Sequence, residues 1–240
     1  MIVTVQPKKR QKHYTPQVGC LYHFNGHDYL VLDIQDDKAL LLSDFSIIQR
    51  VYHDELTDVT WEKSWVRHYL NTDFFCRLKR KNRKKIIKTR IKNHDNLWHG
   101  TKGGNDTHDK IFLLSLDEVD KYFGNSGDYQ NKRQQVHPIG QDKPYYDGLC
   151  INNDYNKDRV ALATFVNLGH FFDMNCAWWL RSPGKCSSKA AYVDIDGIVC
   201  VDGYDVYDYT PYDNDGIRPA FWIRLNPPII RFFKKYFRRK

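Results

Sequence analysis

The residues with the clearest capacity for chemistry lie in one acidic, tyrosine-rich segment, residues 202–215. It contains five Asp, four Tyr and one Asn. Tyrosine supplies a large contact area at low entropic cost and short polar residues adapt their hydrogen bonds, so this composition favours protein or peptide recognition. Seven Asp and no Lys or Arg lie between residues 193 and 216, which favours a basic ligand. The candidate contact residues are Asp202, Tyr204, Asp205, Tyr207, Asp208, Tyr209, Tyr212, Asp213 and Asn214.

The same region offers oxygen ligands for a cation. Asp-Ile-Asp-Gly stands at 194–197 and Asp-Asn-Asp-Gly at 213–216. Calcium binds through such carboxylate and carbonyl oxygens, but neither sequence matches a full EF-hand loop, and both are also turn signals. No cofactor is predicted, and calcium remains an alternative that depends on Asp194, Asp196, Asp213 and Asp215.

Signatures of known catalytic classes are missing from the sequence. It has no G-x-S-x-G, H-E-x-x-H, phosphate-binding loop or dinucleotide fingerprint. His94, His99 and His108 fit no metal-binding helix pattern, and none of the six Cys forms a C-x-x-C pair. The sequence therefore predicts a non-catalytic binding protein.

Two basic segments offer a second kind of chemistry. Residues 77–92 hold ten Lys or Arg and no acid, and we expect a helix here that either contacts nucleic acid or is simply solvated. Residues 229–240 form a cationic amphipathic stretch suited to an anionic membrane or an acidic partner, or to docking on its own domain.

Hydrophobic periodicity and turn signals predict the elements that position these segments. Asn25-Gly26 separates two alternating runs and predicts a hairpin, whereas residues 60–75 show helical spacing. The predicted strands are 19–24, 29–34, 39–42, 110–115, 190–194 and 197–201, and the predicted helices are 60–75, its continuation 77–92, and a short one from 117.

Composition divides the chain into a basic arm (1–17), one domain (18–226) and a basic tail (227–240). Pro227-Pro228 marks the last boundary. There is neither an apolar core of signal-peptide length near the start nor an apolar run that approaches the length of a membrane span. We expect a cytoplasmic protein that can lie at the membrane periphery through its tail.

Four ordered motifs carry a resemblance to a known family. Trp-Trp-Leu-Arg-Ser-Pro-Gly stands at 178–184 and Gly-Ile-Arg-Pro-Ala-Phe-Trp at 216–222. Upstream, residues 60–71 fit T-W-x-x-S-x-x-R-x-x-L-N and residues 109–118 fit D-x-x-F-L-L-S-x-x-E. The chain resembles a bacterial domain family of unknown function with these boxes over about residues 18–224.

A second resemblance concerns the fold. The Trp-rich box, the short strands and the final Gly-aliphatic-Arg strand look like C-type-lectin-like folds, which include formylglycine-generating-enzyme-like proteins and variable proteins of diversity-generating retroelements. That resemblance implies an α+β fold with small twisted antiparallel sheets, two main helices and long loops. It places Arg218 on the last core strand. The implied scaffold is Trp178, Trp179, Arg181, Gly184, Gly216, Arg218, Pro219 and Trp222.

The retroelement resemblance also explains the composition of segment 202–215. Asp, Tyr and Asn codons interconvert through the first base, and adenine-directed mutagenesis starts mainly from Asn codons. This resemblance implies a diversified binding loop, whereas a fixed polar loop is the alternative. The enzyme resemblance would require a Cys pair, and the spacing of Cys176, Cys186 and Cys200 does not match it.

Overall fold

The computed structural model describes residues 10, 12–13, 15–136, 148–167, 170–207 and 216–225. Most of the predicted arm, residues 208–215 of the recognition segment and the tail from 226 onward lie outside these ranges. The described chain is mixed α+β, with mostly small sheets and few, short helices. This confirms the coarse fold class predicted from the sequence.

A five-stranded sheet contains the N-terminal meander and the last described strand. Its strands, in order across the sheet, are β1 (Lys12–His13), β2 (Leu21–Phe24), β3 (His27–Gln35), β4 (Lys38–Ser43) and β16 (Ala220–Arg224). Asn25 and Gly26 turn the β2–β3 hairpin with φ angles of 57° and 97°, because a type I′ turn needs positive φ at both positions. The predicted hairpin and third strand are confirmed.

A seven-stranded sheet contains the Trp-rich box. Its strands, in order, are β5 (Ile48–Gln49), β15 (Gly216–Ile217), β12 (Trp178–Pro183), β13 (Lys189–Val193), β14 (Val199–Asp205), β9 (Leu149–Ile151) and β8 (Gln135–Val136). β12, β13 and β14 form an antiparallel meander, and β15 joins β12 in parallel where Gly216 lies opposite Trp178.

The second sequence box links the two sheets. β15 pairs in the seven-stranded sheet and β16 in the five-stranded sheet, so Arg218 and Pro219 form the step between them. The backbone N–H of Ser43 donates to the carbonyl of Pro219 at 2.9 Å. Arg218 was expected on the last strand; it lies just before β16 because Pro219 lacks the N–H that a ladder needs.

Two further hairpins and several short helices complete the described chain. The hairpins are β6 (Thr89–Ile91) with β7 (Thr107–Asp109), and β10 (Ala161–Asn167) with β11 (His170–Cys176). The helical segments are a 3-10 turn (Trp61–Lys63), α1 (Trp65–Tyr69), a π-type turn (Leu70–Phe74), α2 (Phe75–Arg77), α3 (Arg80–Arg83), α4 (Leu116–Tyr122) and α5 (Asn156–Arg159). Ser115 and Glu118 form a capping box that begins α4 near the predicted start.

Two predicted elements are wrong. The basic stretch 77–92 is not one helix, because Leu78 and Lys79 are extended and the chain then pairs with β16 through Ile86 and Ile223. Residues 110–115 do not form a strand. Only Phe112 pairs, in an isolated antiparallel bridge with Ala220 of β16, and side chains take the neighbouring carbonyls: Asn71 donates to Ile111, and Arg181 to Leu113.

One continuous cluster of buried side chains lies between these elements. It runs from Leu21 on β2 to Ile223 on β16 and includes β12 of the Trp-rich box and the helical run after residue 60. Its largest members are aromatic, among them Trp61, Trp178 and Trp179 at 1% exposure or less. The core therefore fixes the sequence boxes relative to one another.

Candidate functional site

The two tryptophans of the first box are buried and hydrogen-bonded to other segments of the chain. Trp178 donates its indole N–H to the carbonyl of Arg159 at 3.1 Å, and Trp179 donates to the carbonyl of Arg50 at 3.0 Å. Buried indole N–H groups need such acceptors, so both rings are fixed in orientation. Trp222 of the second box is also buried, with the Lys38 ammonium 4.6 Å from its ring centre.

Arg181 ties β12 to α4. Its Nη1 donates to the Glu118 carboxylate and to the carbonyl of Leu113, the latter at 2.6 Å, and its Nη2 donates to the carbonyl of Lys92 at 3.3 Å. Glu118 itself caps α4 by accepting from the Ser115 backbone N–H. A guanidinium that is only 4% exposed and so engaged is structural.

Arg218 is fully buried at the step between the two sheets. Its Nε donates to the carbonyl of Ser43 at 2.7 Å, its Nη1 donates to the carbonyl of Arg159 at 3.3 Å, and the guanidinium lies 5.0 Å from the Trp178 ring centre. The pKa of Arg218 is lowered to about 9, mainly by burial and further by the nearby positive charge of Arg10. Its partners are carbonyls and a ring.

Asp109 joins the two upstream motifs. Its carboxylate accepts from the Trp61 indole at 2.9 Å, from the Thr107 hydroxyl at 2.6 Å and from Arg67 Nε at 2.8 Å, while the residue is 1% exposed. Asn71 adds a second connection, since its side chain accepts from the backbone N–H of Lys110 at 2.9 Å. These motif positions hold the helical run against residues 107–111.

The eight predicted scaffold positions are therefore buried and packed. At Gly184 and Gly216 the surrounding structure leaves no room for a side chain. A Cβ on Gly184 would lie 2.3 Å from the carbonyl oxygen of Asp202, and one on Gly216 would lie 2.3 Å from the Ser46 hydroxyl. Both distances are shorter than any van der Waals contact. The close approach of β14 to Gly184, and of Ser46 to Gly216, is therefore possible only because glycine has no side chain.

Segment 202–215 begins on a strand instead of in a loop. β14 continues to Asp205 because the β13 ladder extends to the pair Lys189–Asp205. Tyr204 packs edge-on against Tyr192 with 6.4 Å between ring centres, and Lys189 pairs with the Asp205 carboxylate at 3.1 Å. Tyr207 follows and is 47% exposed. The other predicted contact residues lie outside the described ranges: Asp208, Tyr209, Tyr212, Asp213 and Asn214.

His99 is a partner of this segment that the sequence did not reveal. Its Nε2 lies 2.8 Å from the Asp202 carboxylate. Asn96, fully buried, positions it: its side chain donates to the carbonyls of Pro183 and Val201 and accepts from the His99 backbone N–H. Asn96 and His99 lie in a polar stretch with no periodic signal, about 100 residues from their partners.

The histidines considered for a metal are dispersed. His94 pairs with Asp117 at 3.2 Å, whereas His99 pairs with Asp202. Among the calcium candidates, Asp194 uses one carboxylate oxygen to accept from the backbone N–H groups of Asp196 and Ile198, both at 2.9 Å. Within the described ranges no group of three or more His, Cys, Asp or Glu could hold a metal. Asp213 and Asp215 lie outside them.

The basic segment 77–92 presents an exposed cationic surface. Six of its side chains are exposed and have no acidic partner among the described residues: Arg77, Lys79, Arg80, Lys81, Lys84 and Lys88. The end of β16 lies beside it, since the backbone N–H of Arg224 donates to the carbonyl of Lys85 at 2.8 Å. In the described part of the chain no helix is long and apolar enough to cross a membrane.

Comparison with protein-family models gives one match, to a domain of unknown function, DUF6273, over residues 36–225. That span contains the four sequence motifs and the buried contacts of Trp178, Trp179, Arg181, Arg218 and Asp109, which we call the frame. The match agrees with the resemblance to a family of unknown function. No match was found among curated proteins or among solved structures. The chain therefore belongs to the DUF6273 family of domains of unknown function.

Proposed function

We propose that this protein is a non-catalytic binding module whose segment 202–215 recognises a protein or peptide ligand. One observation carries the proposal. The connection between Val206 and Gly216 is held at both ends by backbone hydrogen bonds to the buried frame. His53 N–H donates to the carbonyl of Val206 at 2.9 Å, and Gly216 N–H donates to the carbonyl of Ala177 at 2.6 Å. A connection with fixed ends on a rigid support is suited to binding.

The frame and the connection between Val206 and Gly216 have different roles: the frame supports, and the connection contacts the ligand. The motif arginines and tryptophans direct their polar groups into the frame, so few remain to meet a ligand. Asp202, Tyr204 and Asp205 support the start of the segment through His99, Tyr192 and Lys189. Contact therefore falls mainly to the tyrosines and acids from Tyr207 onward.

A basic protein or peptide is the favoured ligand. From 208 to 215 the segment adds three Asp and two Tyr without a cation. Tyrosine anchors contribute most of the energy in such interfaces, and carboxylates increase the association rate with a basic partner. We therefore expect binding that weakens with salt but depends chiefly on Tyr207, Tyr209 and Tyr212.

The test is affinity capture from the source cells with the full-length chain. A variant with Tyr207, Tyr209 and Tyr212 changed to Ala should unfold at the wild-type temperature and lose the captured protein. Tyr155→Ala, which removes a half-exposed tyrosine elsewhere, is the matched control and should retain it. Capture of the same proteins by the triple variant at undiminished yield would contradict the proposal.

We further propose a C-type-lectin-like fold and diversification of the segment by a retroelement. The mixed α+β architecture, the meander that carries the Trp-rich box and the position of the segment just before β15 support the idea. Deep sequencing of the coding region from a growing population of the source organism tests it. Substitutions should cluster at adenines in codons 202–215 while codons 178–184 and 216–222 stay fixed. An invariant segment would rule diversification out.

A second candidate function is nucleic-acid binding through segment 77–92. The observation that favours it is the set of exposed cations that have no acidic partner among the described residues. Lys81→Glu with Lys84→Glu should abolish a steeply salt-dependent affinity for DNA or RNA and leave protein capture intact. The charge-matched change Lys81→Arg with Lys84→Arg is the control. Equal affinity of the Glu variant would exclude this function.

The C-terminal residues 229–240 lie outside the described ranges, and we propose that they bind an anionic membrane. A chain ending at Asn226 should lose sedimentation with vesicles of anionic phospholipid while the full chain keeps it. Neutral vesicles are the control. If both chains bound anionic vesicles equally, the tail would have no such role.

A further inference from the structure

A half-open cleft of about 820 Å³ is lined in part by β5, an edge strand of the seven-stranded sheet. Its walls are Lys12 of β1, the β2–β3 turn, residues 43–49, the helical run from 69 to 78 and residues 163–164 of β10. Pockets for small molecules commonly have about 300–1,000 Å³, so this cleft has the size for one. Segment 202–215 does not line it. Two of its wall residues, Ser43 and Ser46, also contact Arg218 and Gly216, but the binding proposed for the cleft does not rest on the proposed function.

Two tyrosines on the wall of this cleft have unpartnered hydroxyl groups. Tyr29 is 1% exposed and Tyr69 is 7% exposed, and neither hydroxyl has a hydrogen-bond partner among the described residues. Their rings are fixed by packing: Tyr29 against Phe221 at 5.1 Å between ring centres, and Tyr69 stacked on Trp65 at 5.0 Å. Neither hydroxyl oxygen is among the fully enclosed, unpartnered side-chain atoms of the described residues, so both are open to solvent and can donate to a ligand in the cleft.

The charges around the cleft favour an anion. Arg77 lines it, is exposed and has no acidic partner among the described residues. Asp28 is the acid on the wall, and it already accepts from Lys12 at 2.5 Å and lies 2.9 Å from His23 Nδ1. Burial alone would raise the pKa of Asp28, but the contacts with Lys12 and His23 outweigh it and lower the pKa. The negative charge of Asp28 is therefore compensated by its own partners, and Arg77 is available to bind an anion.

The rest of the wall is apolar. Phe45, Ile47, Ile48 and Phe74 line the cleft beside the polar groups. Asn25 fixes its geometry at the turn, since the Asn25 side-chain oxygen accepts from the Lys79 backbone N–H at 2.9 Å and from Asn82 at 2.8 Å. This holds the β2–β3 turn against the chain that follows Arg77.

We propose that this cleft binds a small amphipathic anion, in which a carboxylate or phosphate group is attached to an aromatic or aliphatic body. The anionic oxygens accept from Arg77 and from the hydroxyl groups of Tyr29 and Tyr69, and the body packs against Phe45 and Phe74. A ligand of this class accepts from the two tyrosine hydroxyl groups and the Arg77 guanidinium at once, and a purely apolar ligand accepts from none of them.

Calorimetric titration of the full-length protein tests this with three probes of one shape: naphthalene-2-carboxylate, 2-naphthyl phosphate and 2-naphthylmethanol. At least one anion should bind, and the neutral alcohol should bind about tenfold more weakly or not at all. The tighter of the two anions identifies the source of the charge as carboxylate or phosphate. Equal affinity for the alcohol, or no heat from any probe, would overturn the proposal.

Variants locate the binding. Arg77→Gln and the double variant Tyr29→Phe, Tyr69→Phe should each weaken the anion about fivefold or more, because each loses donors to the charged group while the rings and the exposed surface remain. Arg224→Gln and Tyr155→Phe are matched controls away from the cleft and should bind within about twofold of wild type. If the cleft variants matched the controls, the probe would lie elsewhere and the proposal would be wrong.

Discussion

The substitution Asp109→Asn tests whether the motif residues act as a frame. Asn has nearly the same shape but offers one acceptor oxygen and an NH₂ group. If the oxygen faces Trp61 and Thr107, the NH₂ group meets Arg67 and one charge-assisted hydrogen bond is lost, which costs about 1.5–3 kcal/mol. If the amide turns over, the fully buried Trp61 N–H loses its acceptor at a similar or greater cost. We expect a loss of about 2–3 kcal/mol from a total of roughly 5–15.

Urea unfolding followed by far-ultraviolet circular dichroism measures the effect as a shift of the midpoint at an unchanged slope. Asp109→Ala should cost more than Asn, about 3–5 kcal/mol, because it leaves all three donors unsatisfied. Asp73→Asn is the control, since Asp73 is exposed on the same helical run, and it should leave the midpoint nearly unchanged. If Asp109→Asn lowered the free energy of unfolding by less than about 0.5 kcal/mol, Asp109 would not hold the motif residues together as described.

Three further predictions follow from buried positions. Gly184→Ala should lower the free energy of unfolding by about 1–3 kcal/mol in urea, since its Cβ would overlap the Asp202 carbonyl oxygen, and wild-type stability would show that the strands separate freely. Burial raises the pKa of Tyr29 to about 12 from 10.0, so above about pH 10 the unfolded chain loses a proton that the folded chain keeps, and stability falls. Tyr29→Phe should therefore lose less stability than wild type between about pH 9 and 11.5, and identical pH profiles would contradict this. Burial, with the charges of Asp194 and Asp202, raises the pKa of Cys150 to about 12. Iodoacetamide near pH 8, followed by mass spectrometry, should therefore label the exposed thiols of Cys76 and Cys186 first. Early labelling of Cys150 would contradict this.

Local patterns predicted the elements whose formation depends on neighbours in sequence. The Asn25-Gly26 turn, the strand near 39–42 and the helix from 60 are each specified by residues within a few positions. The break at Leu78 was not predicted, because it depends on pairing between Ile86 and a strand that lies about 140 residues later. Tertiary pairing there overrides helical spacing, and a row of like charges also disfavours a continuous helix.

The candidate site shows the same limit. Composition marked segment 202–215 and the boxes around it, but not the strand that carries Asp202, nor its partner His99. The cleft with Tyr29 and Tyr69 had no sequence signal, because its walls come from five separate parts of the chain. Spacing within one element can be predicted from sequence, whereas contacts between distant elements require the fold.

Hydrogen–deuterium exchange of the full-length chain, with and without the captured protein ligand, locates the binding surface. Added protection should be confined to residues 206–216 and to residues 96–99, which support them, with no change at 77–92 or at 23–29. Protection gained at 77–92 or around the cleft, with 206–216 unchanged, would contradict this and move the binding surface to those residues.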